Sequence, residues 1–399
     1  MNSSESLAPD GGTAAQSSLK HPALKRLLEQ LQQARADGQT LDIRGGHTKR
    51  FYGNTAMGQP LDVTPLAGIS SYEPSELVVT VRAGTPLAEL EAVLADKGQC
   101  LPFEPPRLGR AGAGQAPFGA VGGTVGGMVA AGLSGPARAA VGSVRDYVLG
   151  ATLLTGRGEL LSFGGQVMKN VAGYDVARLL AGSLGTLGVI CEVSLKVLAQ
   201  PVAQHTLRFE MDEARAITLL QQLGGQPLPL NASAWWEGML VVRLAGAGKA
   251  VEAAAQLLRQ NHGGGDVDAD MAATFWQGLR DQTDEFFVGA HEAVARGAQL
   301  WRLSVPAWAP PLKLAGQQLI EWGGAQRWLC TPLQASALRE AARAAGGHAT
   351  LFRAAEGTPA PEGGVFAPLS APLARIQRSL KQSFDPDGLF NRGRLYPDW

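Results

Sequence analysis

Residues 118–127 read FGAVGGTVGG, with the glycine pairs Gly122-Gly123 and Gly126-Gly127 four residues apart. Glycine loses more conformational freedom on folding than any other residue, so a run of glycine pairs marks backbone that takes positive φ or lets something approach closely. Residues 101–200 hold 20 of the chain's 51 glycines, which concentrates this permissiveness in about a quarter of the length. Rows of uncovered backbone N–H groups bind phosphate. Residues 128–131 then read as a short apolar helix, whose N-terminus would add roughly 0.3–1 kcal/mol per anionic charge. A diphosphate cradle is one reading of the stretch; a tightly turned core loop is the other.

Upstream, LVVTV (77–81) has the pattern of a buried strand. Thr85-Pro86 followed by Leu87 to Leu90 predicts a helix with Thr85 as N-cap and Pro86 at its first position. Earlier still, Leu24, Leu27, Leu28 and Leu31 follow helical spacing, and Leu41-Asp42-Ile43 begins a strand that runs into RGGHTK (44–49), a plausible ligand edge. Downstream, residues 147–154 and 189–197 read as further strands.

After Gln200-Pro201 the glycine pairs thin out and tryptophans appear: Trp235, Trp236, Trp276, Trp301, Trp308, Trp322 and Trp328. Strand-like and helix-like segments alternate there, which predicts a second domain of helices on an antiparallel sheet. Its tryptophans read as core filling, since their spacing makes no stacking platform. A last helix near residues 374–382 leads into FDPDGLFNRGRLYPDW (384–399), whose turns are expected to bring the C-terminus back onto the first domain.

The 399 residues are enough for two or three domains, and a hydrophobic content of 45% supports large cores. Thirty-five basic residues balance 35 acidic ones, so no global field draws the chain to nucleic acid or to an anionic membrane. Cys100, Cys191 and Cys330 are isolated and odd in number, which argues against a disulfide framework and against an iron-sulfur cluster held by this chain. No run reaches the length of a membrane-spanning helix, and residues 1–20 lack a basic and an apolar signal region. These features predict a cytoplasmic protein with a disordered leader over residues 1–20.

Familiar nucleotide motifs are missing. Gly248-Lys249 is followed by Ala250 and lacks a Walker A glycine upstream, His291-Glu292 has no second histidine at metalloprotease spacing, and no G-x-G-x-x-G opens a helix after the first strand.

Four blocks nevertheless occur in a telling order: RGGHTKRFYG (44–53), GAVGGTVGGMVAAGLSGP (119–136), GSVRDYVLGATLLTGRGEL (142–160) and VMKNVAGYDVARLLAGSLGTLGVICEVSLKV (167–197). In this the chain resembles flavoproteins of the vanillyl-alcohol oxidase/p-cresol methylhydroxylase (PCMH) type. Within that family it is similar to the FAD-binding subunits of bacterial glycolate oxidases, down to FDPDGLFNRGRLY near the end. The resemblance implies an α+β fold: a PCMH-type FAD-binding domain of two subdomains over residues 21–200, an α/β cap domain on an antiparallel sheet over 201–373, and a segment 374–399 returning to the first domain.

For the cofactor, the resemblance implies a first pyrophosphate loop of Arg44, Gly45, Gly46, His47, Thr48 and Lys49. The second set of backbone donors would be Gly119, Gly122, Gly123, Thr124, Gly126 and Gly127. Asp146 would help hold the dinucleotide, and Gly182, Gly185, Thr186, Gly188 and Val189 would lie near the adenine. Arg44 also fits a solvated surface charge, Asp146 a capping residue, and Lys169-Asn170 with Tyr174-Asp175 a packed polar turn. Gly45-Gly46-His47-Thr48 is similar to an element whose histidine, in some members of the wider superfamily, is bonded covalently to the flavin.

The activity implied is that of an FAD subunit in a complex that oxidises glycolate to glyoxylate. Its partners would be a larger FAD-containing subunit and an iron-sulfur subunit, and the complex would sit in the cytoplasm or peripherally at the inner face of the membrane. An independent FAD-dependent 2-hydroxy-acid dehydrogenase and a non-catalytic flavin-binding assembly subunit are the alternatives. The six histidines show no paired spacing, so no metal site and no catalytic base stand out.

Overall fold

The computed structural model describes residues 21–109, 122–165 and 175–399. The leader reading of residues 1–20, Gly119, and the Lys169, Asn170 and Tyr174 turn lie outside the described residues. What is described is mixed helix and sheet, with most pairing antiparallel.

The helix Pro22–Ala36 opens with Pro22 at its first turn and with His21 accepting from the Ala23 N–H, and it buries Leu24, Leu27 and Leu31. Those leucines pack with Leu41, Leu61, Val189 and Phe390, so the two ends of the chain share one core. Strand Leu41–Arg44 pairs in parallel with Gln59–Asp62 and bridges to Phe390. A five-stranded antiparallel sheet follows, in the order Ile69–Glu73, Val78–Arg82, Val189–Lys196, Val148–Leu154, Leu160–Gly164. Its Val79, Val81, Val193 and Leu195 are fully buried against Leu87, Leu90, Val125 and Val129 of two covering helices. Each such side chain contributes roughly 1.5–3 kcal/mol by burial.

The helix after Thr85 runs from Leu87 to Asp96 with Pro86, not Thr85, as its cap residue. The Thr85 hydroxyl is engaged elsewhere, donating to Arg82 O at 2.7 Å and accepting from the Gly68 N–H at 2.9 Å. The apolar helix expected at 128–131 starts earlier, as Val125–Ala131, because Thr124 caps it by accepting from the Gly127 N–H.

Beyond residue 200 the chain forms an eight-stranded antiparallel sheet in the order Gly265–Asp266, Ala203–Glu210, Met239–Gly246, Leu230–Trp236, Gln317–Glu321, Gln326–Thr331, Gln299–Ser304, His348–Arg353. Helices Glu213–Gly224 and Gly248–His262 bury leucines and alanines against its first half. Trp276, Phe286, Phe287 and Trp328 share a second cluster with Tyr52, Leu108, Ala131, Leu133 and Leu184, so this sheet is packed onto the glycine-rich region. Trp301 is fully buried and Trp328 nearly so, consistent with core filling, whereas Trp308 is 72% exposed. The helix Ala371–Phe384 then carries the chain back. Among the described residues, no helix is long and apolar enough to cross a membrane.

Candidate functional site

The first loop leaves strand Leu41–Arg44, and the second precedes helix Val125–Ala131; the two touch. A Cβ placed on Gly45 would stand 2.5 Å from the Thr124 hydroxyl, and one on Gly123 would stand 2.8 Å from the Thr48 hydroxyl. Gly123 also has φ +86°, a conformation that side-chain-bearing residues resist. Glycine is therefore required at both positions by the close approach of the loops. Gly126 answers to a different neighbour, because its Cβ would fall 2.6 Å from that of Ala83 at the end of strand Val78–Arg82.

Between the loops lies a pocket lined by Arg44, Gly45, Gly46, His47, Thr48 and Lys49, by Gly123, Thr124, Gly126 and Gly127, and by Gly185 and Gly188. Most of the sequence-predicted residues are thus gathered on one cavity. Gly122 is adjacent to it, with φ +88°, but is not among its lining residues. Gly182, Thr186 and Val189 support the pocket from behind: the Gly182 N–H donates to Val129 O, Thr186 donates its hydroxyl to Ser183 O, and Val189 is buried in the shared core. Asp146 is off the pocket. Its carboxylate accepts from the Ser143 N–H and hydroxyl at 2.8 Å each, and these bonds, working against burial, hold it below the usual carboxylate range. That is the capping role that the sequence left open beside the cofactor role.

The electrostatics favour an anion. Burial pushes the Lys49 ammonium down to about 8, and among the described residues it has no carboxylate at ion-pair distance, only the Thr48 hydroxyl at 3.4 Å. The backbone N–H groups of Gly46, Thr48 and Lys49 donate to no acceptor among the described residues. Arg44, by contrast, is engaged with Asp42 at 2.8 Å. For His47, which has φ +57°, burial and then the charges of Arg44 and Arg50 lower the imidazole pKa, so the ring is neutral near pH 7.

Two lining residues missed by the sequence reading come from the far end of the chain. Asn391 accepts from the Ile43 N–H at 2.7 Å and donates to Leu184 O at 2.6 Å, which ties the first loop's strand to the loop containing Gly185. Arg394 donates to the carbonyls of Asn54 and Arg50, both at 2.9 Å, and braces the end of the first loop. Both lie in FNRGRLY (390–396), but neither pairing has a local signal.

The pocket suits a dinucleotide diphosphate: glycine turns with little room for Cβ atoms, backbone N–H groups without acceptors and a half-buried ammonium with no carboxylate at ion-pair distance among the described residues. Among the described residues, no group of three or more His, Cys, Asp or Glu side chains is arranged to hold a metal ion.

Comparison with known proteins gives a consistent picture. A family described as an FAD binding domain matches residues 24–164. The chain is 46% identical over 372 residues to the glycolate oxidase subunit GlcE of Escherichia coli (strain K12), covering 93% of this chain and 97% of that protein. It is 28% identical to glycolate oxidase subunit GlcD of Bacillus subtilis (strain 168), over 40% of this chain and 32% of that one. It is 32% identical to a D-lactate dehydrogenase of Anaerostipes hadrus, over 36% of this chain and 28% of the other. Among solved structures, alkyldihydroxyacetonephosphate synthase matches with a TM-score of 0.59 at 16% identity, covering 92% of this chain and 75% of that one, a likeness of fold.

Proposed function

The chain belongs to the family of the glycolate oxidase subunit GlcE, and from that premise we propose that it is the FAD-binding subunit of a complex oxidising glycolate to glyoxylate. FAD, when bound, supplies the electron acceptor for the two-electron oxidation of the 2-hydroxy acid. The observation that carries the cofactor reading is the meeting of Gly45 and Gly123 with Thr124 and Thr48 beside the Lys49 ammonium, which has no carboxylate at ion-pair distance among the described residues.

The chain's own residues then have separate tasks. Gly46, Thr48 and Lys49 offer N–H donors to the diphosphate, and the Lys49 ammonium supplies its countercharge. Gly185 and Gly188 also line the pocket, and the adenine is expected beside them. We assign residues 21–200 to the cofactor domain, 201–373 to the cap, and 374–399 to the returning segment. A multi-subunit assembly follows from the family. Within it, a larger FAD-containing partner and a separate iron-sulfur partner are expected, because this chain's three cysteines are too few for a four-thiolate cluster. A cytoplasmic location, with peripheral attachment to the inner face of the membrane through the complex, fits these partners.

The test is cofactor retention. The purified chain should be yellow, and Gly123→Val should abolish retention while Glu252→Ser, on an exposed helix face, leaves it intact. Full FAD occupancy in folded Gly123→Val would show that the cradle is assigned wrongly.

A further inference from the structure

We propose that Arg138 and Arg302, with the Tyr52 hydroxyl, form a binding site for a small carboxylate at the seam between the cofactor domain and the cap sheet. The proposal rests on the reading of the chain as a flavoprotein acting on 2-hydroxy acids, and it assigns that substrate class to named residues.

The two arginines come from different parts of the fold. Arg138 follows the glycine-rich helix and stacks on Trp322, its guanidinium carbon 4.4 Å from the ring centroid. Trp322 is itself held to the same segment, since its indole N–H donates to Gly135 O at 3.0 Å. Arg302 lies on the cap strand Gln299–Ser304 and donates to the Tyr52 hydroxyl at 3.3 Å. Tyr52 directly follows the first cofactor loop and packs on Phe352 of the cap. Both guanidiniums are thus fixed from the side.

Among the described residues, neither arginine is in a salt bridge, in contrast to Arg243, Arg280 and Arg327, which are all paired. Burial and then the charge of Arg302 hold Arg138 below the usual guanidinium range, so the two cations repel. Asp146 offsets this least, and its carboxylate is engaged by Ser143. Two like charges held near each other, with no ion-pair partner at contact distance among the described residues, leave room for a carboxylate to bind both by bidentate hydrogen bonding.

Next to Arg302 is a small cavity of about 20 Å³, room for one hydroxyl or water, lined by Ser134, Arg280, Gln282, Glu321 and Gln326 and by apolar side chains. Gln282 and Gln326 are more than nine-tenths buried, and their Oε1 atoms have no hydrogen-bond partner among the described residues. Glu321 accepts from the Trp328 indole N–H at 2.6 Å, and burial pushes its carboxyl up to about 8, so near neutral pH it is protonated and does not neutralise Arg302. Leaving a buried acceptor unpartnered is unfavourable, and a hydroxyl or a water brought in with the ligand would supply the missing donor. Carboxylate toward the arginines and hydroxyl toward the glutamines describes a 2-hydroxy acid.

The experiment titrates the FAD-loaded full chain with oxalate and with glycolate, following the flavin difference spectrum and the thermal midpoint, with ethylene glycol as the uncharged control. Saturable responses to the two acids and none to the diol are expected. Arg302→Met and Arg138→Met should each weaken oxalate binding about tenfold or more, while Arg302→Lys keeps part of it. Should either Met variant lose its flavin, Tyr52→Phe, which removes one hydroxyl, carries the test with a severalfold weakening. No saturable response in the wild type, or wild-type affinity in flavin-loaded arginine or Tyr52 variants, would overturn the site. If the wild type retains no FAD, the cofactor reading fails by itself, and oxalate is then titrated against tryptophan fluorescence, to which Trp322 reports directly.

Discussion

The ammonium of Lys381 donates to the Asp385 carboxylate at 2.6 Å, with both side chains enclosed. It also donates to the carbonyls of Thr186 at 2.7 Å and Phe390 at 2.9 Å, and Asp385 in turn accepts from the N–H groups of Leu389 and Phe390. One ion pair therefore joins the returning helix, the loop ending at Val189 and the segment that supplies Asn391 to the pocket.

Removing only the cation would leave a buried carboxylate uncompensated. Lys381→Met should destabilise the chain by about 3–5 kcal/mol, and adding Asp385→Leu should restore part of that loss. Chemical unfolding with fluorescence detection measures both. A cost below about 1 kcal/mol for the single variant would contradict this account of the lock.

FAD affinity should depend on pH through Lys49. Its folded pKa, about 8, lies below the ordinary 10.5, so between these values the unfolded chain binds the proton that the folded chain lacks. The FAD-free chain therefore gains stability as pH rises through that window. Binding the diphosphate favours the charged ammonium, so affinity should be highest below pH 8 and fall by up to tenfold per unit above it. Lys49→Met should weaken binding at pH 7 and flatten the profile, as equilibrium titration with FAD would measure. An unchanged slope in Lys49→Met would assign the titration to another group.

The flavin should be released when the protein is denatured in acid. His47 lines the pocket within the loop proposed to hold the diphosphate, with its imidazole near Arg44 and Arg50, and a covalent bond would need it beside the flavin ring. Absorbance of the acid-precipitated pellet and supernatant decides the matter. Colour that stays with the pellet, and is lost in His47→Ala, would show a covalent bond.

The paired glycines, the strand at 77–81 and the first loop were legible in the sequence because each imposes a local requirement: positive φ, burial on both faces, or a turn. Gly126 shows the limit of that reading, since its lack of a side chain serves the contact with Ala83 as well as any ligand. Asp146 carries the same ambiguity, because a carboxylate three residues after a serine suits a helix cap as well as a ligand contact. Asn391 and Arg394 reach the first loop across more than 330 residues, and no periodicity encodes such a contact. Helices Ala269–Asp281 and Glu285–Ala295 went unassigned: the first buries only Ala272, Trp276, Gly278 and Leu279, so its helical stripe is thin. Arg138 and Arg302 became visible only once their neighbours were known, since an unpaired arginine is defined by what surrounds it.

Binding a hydroxy acid and oxidising it are separable, and the last prediction turns on that distinction. Removing the hydroxyl proton while the C–H bond breaks calls for a base or a metal-bound alkoxide near the substrate. Of the groups around the proposed carboxylate site, Glu321 is held protonated near neutral pH and the guanidiniums cannot accept a proton. His348, exposed at the start of strand His348–Arg353, has its pKa lowered by partial desolvation and then by Arg302, which makes it a weak base. The isolated FAD-loaded chain should therefore bind glycolate yet reduce its flavin slowly, and mixing it with the proposed larger flavoprotein and iron-sulfur partners should restore dye reduction. Anaerobic mixing with glycolate, followed by flavin absorbance, measures this. Rapid bleaching without partners would make the chain an independent dehydrogenase, and His348→Ala would then be the first variant to examine, because an abolished rate with oxalate binding intact would identify the base.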